Sequence, residues 1–155
     1  MQSFFTISGT IRRIESHGDC SLIMSVTDTG GGPVNLIIDS STYVVDMENL
    51  QVGDPVLAYC DSSAPAPLIY PPQYRAVLIG RRNPSENVYA GYFDENLMSA
   101  DASLQLNIDN STSVVTANGQ TFQCSPGGHT LVVYYSSSTR SIPAQTTPRK
   151  IVVVC

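Results

Sequence analysis

A chain of 155 residues suffices for one medium domain or two small ones and can bury roughly 70% of its unfolded surface, so a packed core is within reach. Charged residues make up only 14%, against a usual level of about 25%, while 19 Ser and 12 Thr accompany 15 Val and 11 Ile. That balance favours strands over helices because β-branched side chains are stiff at χ1, and a net charge of −5 with Lys150 as the single lysine argues against nucleic acid.

Met1 to Phe5 leads straight into strand pattern, without the basic and apolar regions of a secretory leader, which predicts a cytoplasmic protein. No apolar run approaches the ~20 residues that cross a bilayer, so no membrane partner is expected. Phe5, Ile7, Gly9 and Ile11 alternate with polar neighbours, and Cys20, Leu22, Met24 and Val26 form a second alternating run. A glycine-rich turn leads to a third strand over 34–38, Asp39-Ser-Ser-Thr42 supplies turn chemistry, and Leu50-Gln-Val-Gly-Asp54 turns tightly into a fourth strand over 56–59. A fifth strand covers 74–79. Further strands follow over 88–93, 97–99, 104–108, 131–135 and 150–154. No segment sustains a 3.6-residue period, so any helix is one or two turns, near 42–50.

The chain repeats itself. Val34-Asn-Leu-Ile-Ile-Asp-Ser-Ser-Thr-Tyr-Val-Val45 matches Leu104-Gln-Leu-Asn-Ile-Asp-Asn-Ser-Thr-Ser-Val-Val115 at a constant offset of 70. Ile23-Met-Ser-Val26 matches Leu97-Met-Ser-Ala100 at 74, and both Leu57-Ala-Tyr59 with Val132-Val-Tyr134 and Ala76 to Ile79 with Ile151 to Val154 match at 75. The offset changes only at turns. Five strands per unit, with an irregular connection before the fourth, predict an all-β tandem pair of OB-like barrels, 4–82 and 86–155, related by internal duplication and packed as one body. A single pseudo-symmetric β-sandwich is the alternative.

Cys20, Cys60, Cys124 and Cys155 are widely spaced with no C-x-x-C, and free thiols are expected. His17-Gly-Asp19-Cys20 brings three metal-ligand types together, yet no second ligand pair follows at zinc spacing, and these residues suit a turn. Asp39 and Asp109 hold equivalent places in the repeats and could form a carboxylate pair, but the Ser and Thr that follow each suit a local hydrogen-bonded turn. No nucleophile, base and pocket constellation emerges. The reading is therefore non-enzymatic, with no metal and no cofactor.

The segments Pro67-Leu-Ile-Tyr-Pro-Pro-Gln-Tyr-Arg-Ala-Val-Leu-Ile79 and Ser138-Thr-Arg-Ser-Ile-Pro-Ala-Gln-Thr-Thr-Pro-Arg-Lys-Ile-Val-Val-Val154, with Cys20 to Val26 and Thr42 to Asp46, resemble a family of short proteins from clostridia and related Firmicutes over nearly the whole chain. That resemblance implies a bacterial source and a pair of long loops, and carries no activity or site residue across.

Tyrosines cluster at the fourth strands and the loops after them, where an OB-like barrel presents ligands. The candidate binding set is Tyr59, Leu68, Ile69, Tyr70, Tyr74, Tyr134, Tyr135, Arg140 and Ile142. It suggests a non-catalytic module for a protein or peptide partner, or for a second copy of the chain. Single-stranded nucleic acid is the alternative. The loops over 60–73 and 136–148 exceed hairpin length, carry stiffening prolines and apolar groups, and are expected to clasp the neighbouring unit or another subunit, burying Leu68 and Ile69.

Overall fold

The computed structural model describes residues 3–155, which contain strands and one 3₁₀ turn but no α-helix. The chain divides into two compact units, Phe4–Arg82 and Asn83–Cys155 with Ser3.

In the first unit, β1 (Phe4–Ser16), β2 (Leu22–Asp28), β3 (Pro33–Ile38), β5 (Pro55–Asp61) and β6 (Gln73–Arg81) form a closed barrel, and the short β4 (Tyr43–Val44) pairs with β6 outside the ring. β1 serves two neighbours. Its first half pairs with β5 and its second with β2, and a register shift between Ile11 and Arg13 bends it between them. The ring closes where β3 meets β6 in parallel, Asn35 opposite Gln73. The alternation read from the sequence sets which side chains turn inward: Ile7, Ile11, Met24, Val26, Leu36 and Val56 are buried among their neighbours. The helical turn expected near 42–50 is the 3₁₀ turn Val45–Met47, in which Asp46 and Met47 both take left-handed φ values of 57° and 51°.

The second unit holds a four-stranded sheet, ordered β7 (Asn87–Phe93), β10 (His129–Tyr135), β12 (Lys150–Val154) and β9 (Ser113–Thr116), and a parallel pair of β8 (Leu104–Leu106) with β11 (Ala144–Thr146). Unlike those of the first unit, these strands form two separate sheets, and no continuous ladder closes them into a ring among the described residues. The strand expected over 97–99 survives only as isolated bridges, Phe93 to Ser99 and Met98 to Gln105. Leu97 and Ala102 take left-handed φ values of 63° and 58°, and the buried Ser99 hydroxyl accepts the N–H groups of Ser103 (3.1 Å) and Leu104 (3.0 Å). These local bonds replace ladder bonds. The loop expected over 136–148 also contains β11.

Several contacts nonetheless recur. The Asp39 carboxylate accepts the Ser41 N–H at 3.0 Å and Asp109 that of Ser111 at 2.8 Å, so both form Asx turns. The Thr42 hydroxyl then donates to the Ala76 carbonyl (2.7 Å) and that of Thr112 to Pro148 (2.8 Å). Val44 lies opposite Ile79 and Val114 opposite Ile151, so β6 and β12 correspond at an offset of 72, not the 75 read from the sequence.

All four cysteines are free; Cys20, Cys124 and Cys155 are exposed, and Cys60 is buried in the barrel, its thiol pushed up to about 11 by desolvation. At pH 8, three thiols should react promptly with a chromogenic disulfide reagent and the fourth only on unfolding, since the thiolate is the reactive form. Four equal rates in the native protein would contradict the burial of Cys60. No helix among the described residues is long and apolar enough to cross a membrane.

Candidate functional site

The connection from β5 to β6 is hydrogen-bonded at both ends. At its start the Asp61 carboxylate accepts the N–H (2.9 Å) and hydroxyl (2.7 Å) of Ser63, and at its end the Pro72 carbonyl accepts the Asn35 N–H at 2.8 Å. Pro65, Pro67, Pro71 and Pro72 fix φ along the intervening chain. The tip is solvent-exposed: Leu68 at 105%, Tyr70 at 80% and Ile69 at 52% of full accessibility. The first unit by itself therefore leaves Leu68 and Ile69 open to solvent. Proline stiffening and Asp61 capping hold the loop in shape without an apolar anchor.

The connection from β10 to β11 is closed by its own polar groups. Thr139 N–H donates to the Gln145 carbonyl and Gln145 N–H to the Thr139 hydroxyl, both at 2.9 Å. The Thr139 and Ser141 hydroxyls lie 2.7 Å apart, and the Ser141 hydroxyl donates to the Pro143 carbonyl at 2.7 Å. Below this ring the Thr146 hydroxyl donates to the Ser137 carbonyl (2.6 Å) and Ala144 N–H to the Ser103 carbonyl (3.1 Å). The tip again faces water, with Arg140 exposed and Ile142 at 95%. Tyr70–Pro71 and Ile142–Pro143 are both cis peptide bonds.

The tyrosines behave differently from the loop residues. Tyr59 is buried beside Phe4, with ring centroids 6.3 Å apart, and half-buried Tyr74 packs edge-on to Phe5 at 5.0 Å against the barrel core. Tyr134 is wholly buried, and Arg149 Cζ and Lys150 Nζ lie 5.2 and 5.1 Å from its ring centroid. Tyr135 packs against the second unit's core, where burial raises its phenol pKa. Tyr59 and Tyr134 thus face the protein interior, a correction to their place in a ligand-facing set: strand alternation and core packing turn these rings inward. Leu68, Ile69, Tyr70, Arg140 and Ile142 face solvent. Thr139, Ser141 and Gln145 were missed by sequence reasoning, although Pro71/Pro143 and Gln73/Gln145 share the 72-residue offset that would have aligned the loops.

The other candidates resolve into local structure. His17 N–H donates to the Ser21 carbonyl at 2.8 Å around a left-handed Gly18, a hairpin turn, and no group of three metal-binding side chains occurs among the described residues. The Asp39 carboxyl is held below an ordinary aspartate by its bond from the Ser41 hydroxyl, with Arg75 assisting, and Asp109 likewise by Ser111. No family model, curated protein or solved structure matches the chain.

Proposed function

We propose that the protein is a non-catalytic binding module that engages a protein partner through the exposed loops of two related units. The observation that carries this reading is the exposure of Leu68 and Ile142 on loops held, in the first unit, by prolines and bonds at both ends and, in the second, by their own polar groups. An apolar side chain in water gains about 1.5–3 kcal/mol on burial, and a preformed loop loses little further entropy on docking. Exposed apolar anchors of this kind supply the centres of protein interfaces.

Nucleic acid is the weaker reading. The strand order β1-β2-β3-β6-β5 is compatible with an OB-like barrel, but three of the five guanidinium groups there have acidic partners, Arg13 with Glu15 (3.2 Å), Arg75 with Asp39 (3.5 Å) and Arg81 with Asp54 (3.1 Å), while Arg12 and Arg82 bond the hydroxyls of Thr27 and Ser8. Pairing reduces the charge available to phosphates.

Ile69→Asp with Ile142→Asp should leave the melting temperature within about 2 °C of the parent, since substitutions at exposed positions change stability little. A photoreactive side chain at Leu68 or Ile142 should form adducts of discrete mass in extracts, and the double Asp variant should suppress them. Adducts of twice the chain mass in the purified protein would assign the loops to self-association. A salt-sensitive shift of labelled oligonucleotides would favour the nucleic-acid reading, and a large fall in melting temperature would restore the clasp.

A further inference from the structure

Resting on the reading of the loops as protein-binding, we infer that the chain inhibits serine endopeptidases, presenting the Arg140–Ser141 bond to a protease that cleaves after basic residues and the Leu68–Ile69 bond to one that cleaves after large apolar residues.

Arg140 is the first reason. Among the described residues it has no ion pair or hydrogen bond, whereas Arg12 bonds Thr27, Arg82 bonds Ser8, Arg149 pairs with Glu86, and Arg13, Arg75 and Arg81 have acidic partners. A lone exposed guanidinium at the tip of an ordered loop fits a partner with a pocket ending in a carboxylate. That is how serine endopeptidases specific for basic residues read the side chain before the scissile bond. Leu68, exposed at the corresponding place in the first loop, suits an apolar pocket of the same kind.

The backbone is the second reason. The N–H groups of Arg140, Ser141 and Ile142, like those of Leu68, Ile69 and Tyr70, find no backbone partner among the described residues. They are free to pair with an extended strand in a protease cleft, the geometry of strand addition. Leu68 and Arg140, Pro71 and Pro143, and Gln73 and Gln145 are each separated by 72 residues, the offset that relates β6 and β12, so the two tips occupy the same place in their units.

The third reason distinguishes an inhibitor from a substrate. Attack of the protease serine oxygen on the Arg140 carbonyl forms an ester and breaks the Arg140–Ser141 C–N bond, the serine proton passing through the protease histidine to the Ser141 nitrogen. In a flexible peptide that amine departs. Here the Thr139 and Ser141 hydroxyls, 2.7 Å apart, bridge the two sides of the bond, and Thr139 is doubly tied to Gln145. The amine stays beside the ester and attacks it, restoring the peptide bond and returning the proton to the serine. Ordering is prepaid, so the contact can be tight despite its small size.

The intact chain should be titrated against trypsin and chymotrypsin with chromogenic amide substrates. Trypsin should be inhibited with Kd in the nanomolar range or below, as is common for preorganised inhibitor loops. Arg140→Ala should weaken trypsin inhibition about 100-fold or more and spare chymotrypsin, Leu68→Ala should do the reverse, and Arg140→Lys should retain trypsin inhibition. Thr139→Val should raise the rate of cleavage at Arg140–Ser141, read by mass spectrometry, and turn inhibition transient. Full trypsin activity at about 10 μM chain, rapid complete cleavage at Arg140, or inhibition that survives Arg140→Ala would overturn the inference. If inhibition fails while photo-adducts still form at Leu68 or Ile142, the inhibitor reading falls and the binding reading stands; loss of the adducts as well removes both.

Discussion

Gly9→Ala is expected to destabilise the barrel by about 3 kcal/mol, the upper end of what overpacking usually costs. Gly9 lies where β1 passes from one neighbour to the next, opposite Val56 on β5 and Asp28 on β2. A Cβ there would fall 2.1 Å from the Thr27 carbonyl oxygen and 2.8 Å from Asp28 Cα. Both are backbone atoms fixed by the ladder, so no rotamer change relieves the clash; β1 and β2 would have to separate, with loss of the bend that closes the ring. Gly91 in the second unit provides the control. It lies opposite Leu131 on β10, much as Gly9 lies opposite Val56, but its Cβ would meet the Tyr89 ring edge at 3.1 Å. A ring edge can shift by a few tenths of an ångström, so Gly91→Ala should cost under about 1 kcal/mol. Denaturant unfolding with amide exchange in β1 and β2 would compare the two, and equal losses would refute this account of the barrel closure.

The same glycine shows what was legible in the sequence. Alternation of Phe5, Ile7, Gly9 and Ile11 identifies a strand but not that its middle residue touches the backbone of the next one. That contact depends on the register of β1 on β2, Gly9 opposite Asp28, which no period encodes. The Asp-x-Ser-Thr turns were legible because their bonds are local. The two-sheet arrangement of the second unit was not, since nothing in the alternation shows that the Ser99 hydroxyl takes the N–H groups of Ser103 and Leu104. For the loops, prolines and apolar residues suggested burial, on the reasoning that Leu68 and Ile142 would avoid water. The bonds from Thr139 to Ser141 and Gln145 hold the second loop without it. Aligning the last strands by their apolar residues at an offset of 75 concealed the correspondence of Leu68 with Arg140, because the pairing of β4 with β6 and β9 with β12 fixes that offset at 72.

Tyr134 tests the division between core and ligand-facing residues most directly, and Tyr134→Ala should cost about 3–5 kcal/mol, as for other large buried rings. The ring is 0% exposed, and its own carbonyl accepts the Arg149 N–H at 2.9 Å. Arg149 in turn is fixed over the ring by two bonds to Glu86, Nε to Oε2 at 2.8 Å and Nη2 to Oε1 at 2.9 Å. The arginine bond holds the Glu86 carboxyl below the pKa of an ordinary glutamate. A carboxyl depressed on folding contributes stability that is fully present above its unfolded pKa and is lost as pH falls through its folded pKa. The parent should therefore lose stability on acidification, with a shallower loss in Glu86→Gln; because Arg149 is half exposed, solvent screening keeps that difference below about 1 kcal/mol. The two substitutions act on one cluster, so the cost of Glu86→Gln should shrink once Tyr134 is alanine and the guanidinium no longer has a ring to cover. A tyrosine serving a ligand would give the opposite pattern, with the Ala variant melting like the parent and only binding lost. Thermal unfolding of the four proteins of this cycle at pH 7 and pH 4 separates the two, and an unchanged melting temperature for Tyr134→Ala at pH 7 would return Tyr134 to the binding surface.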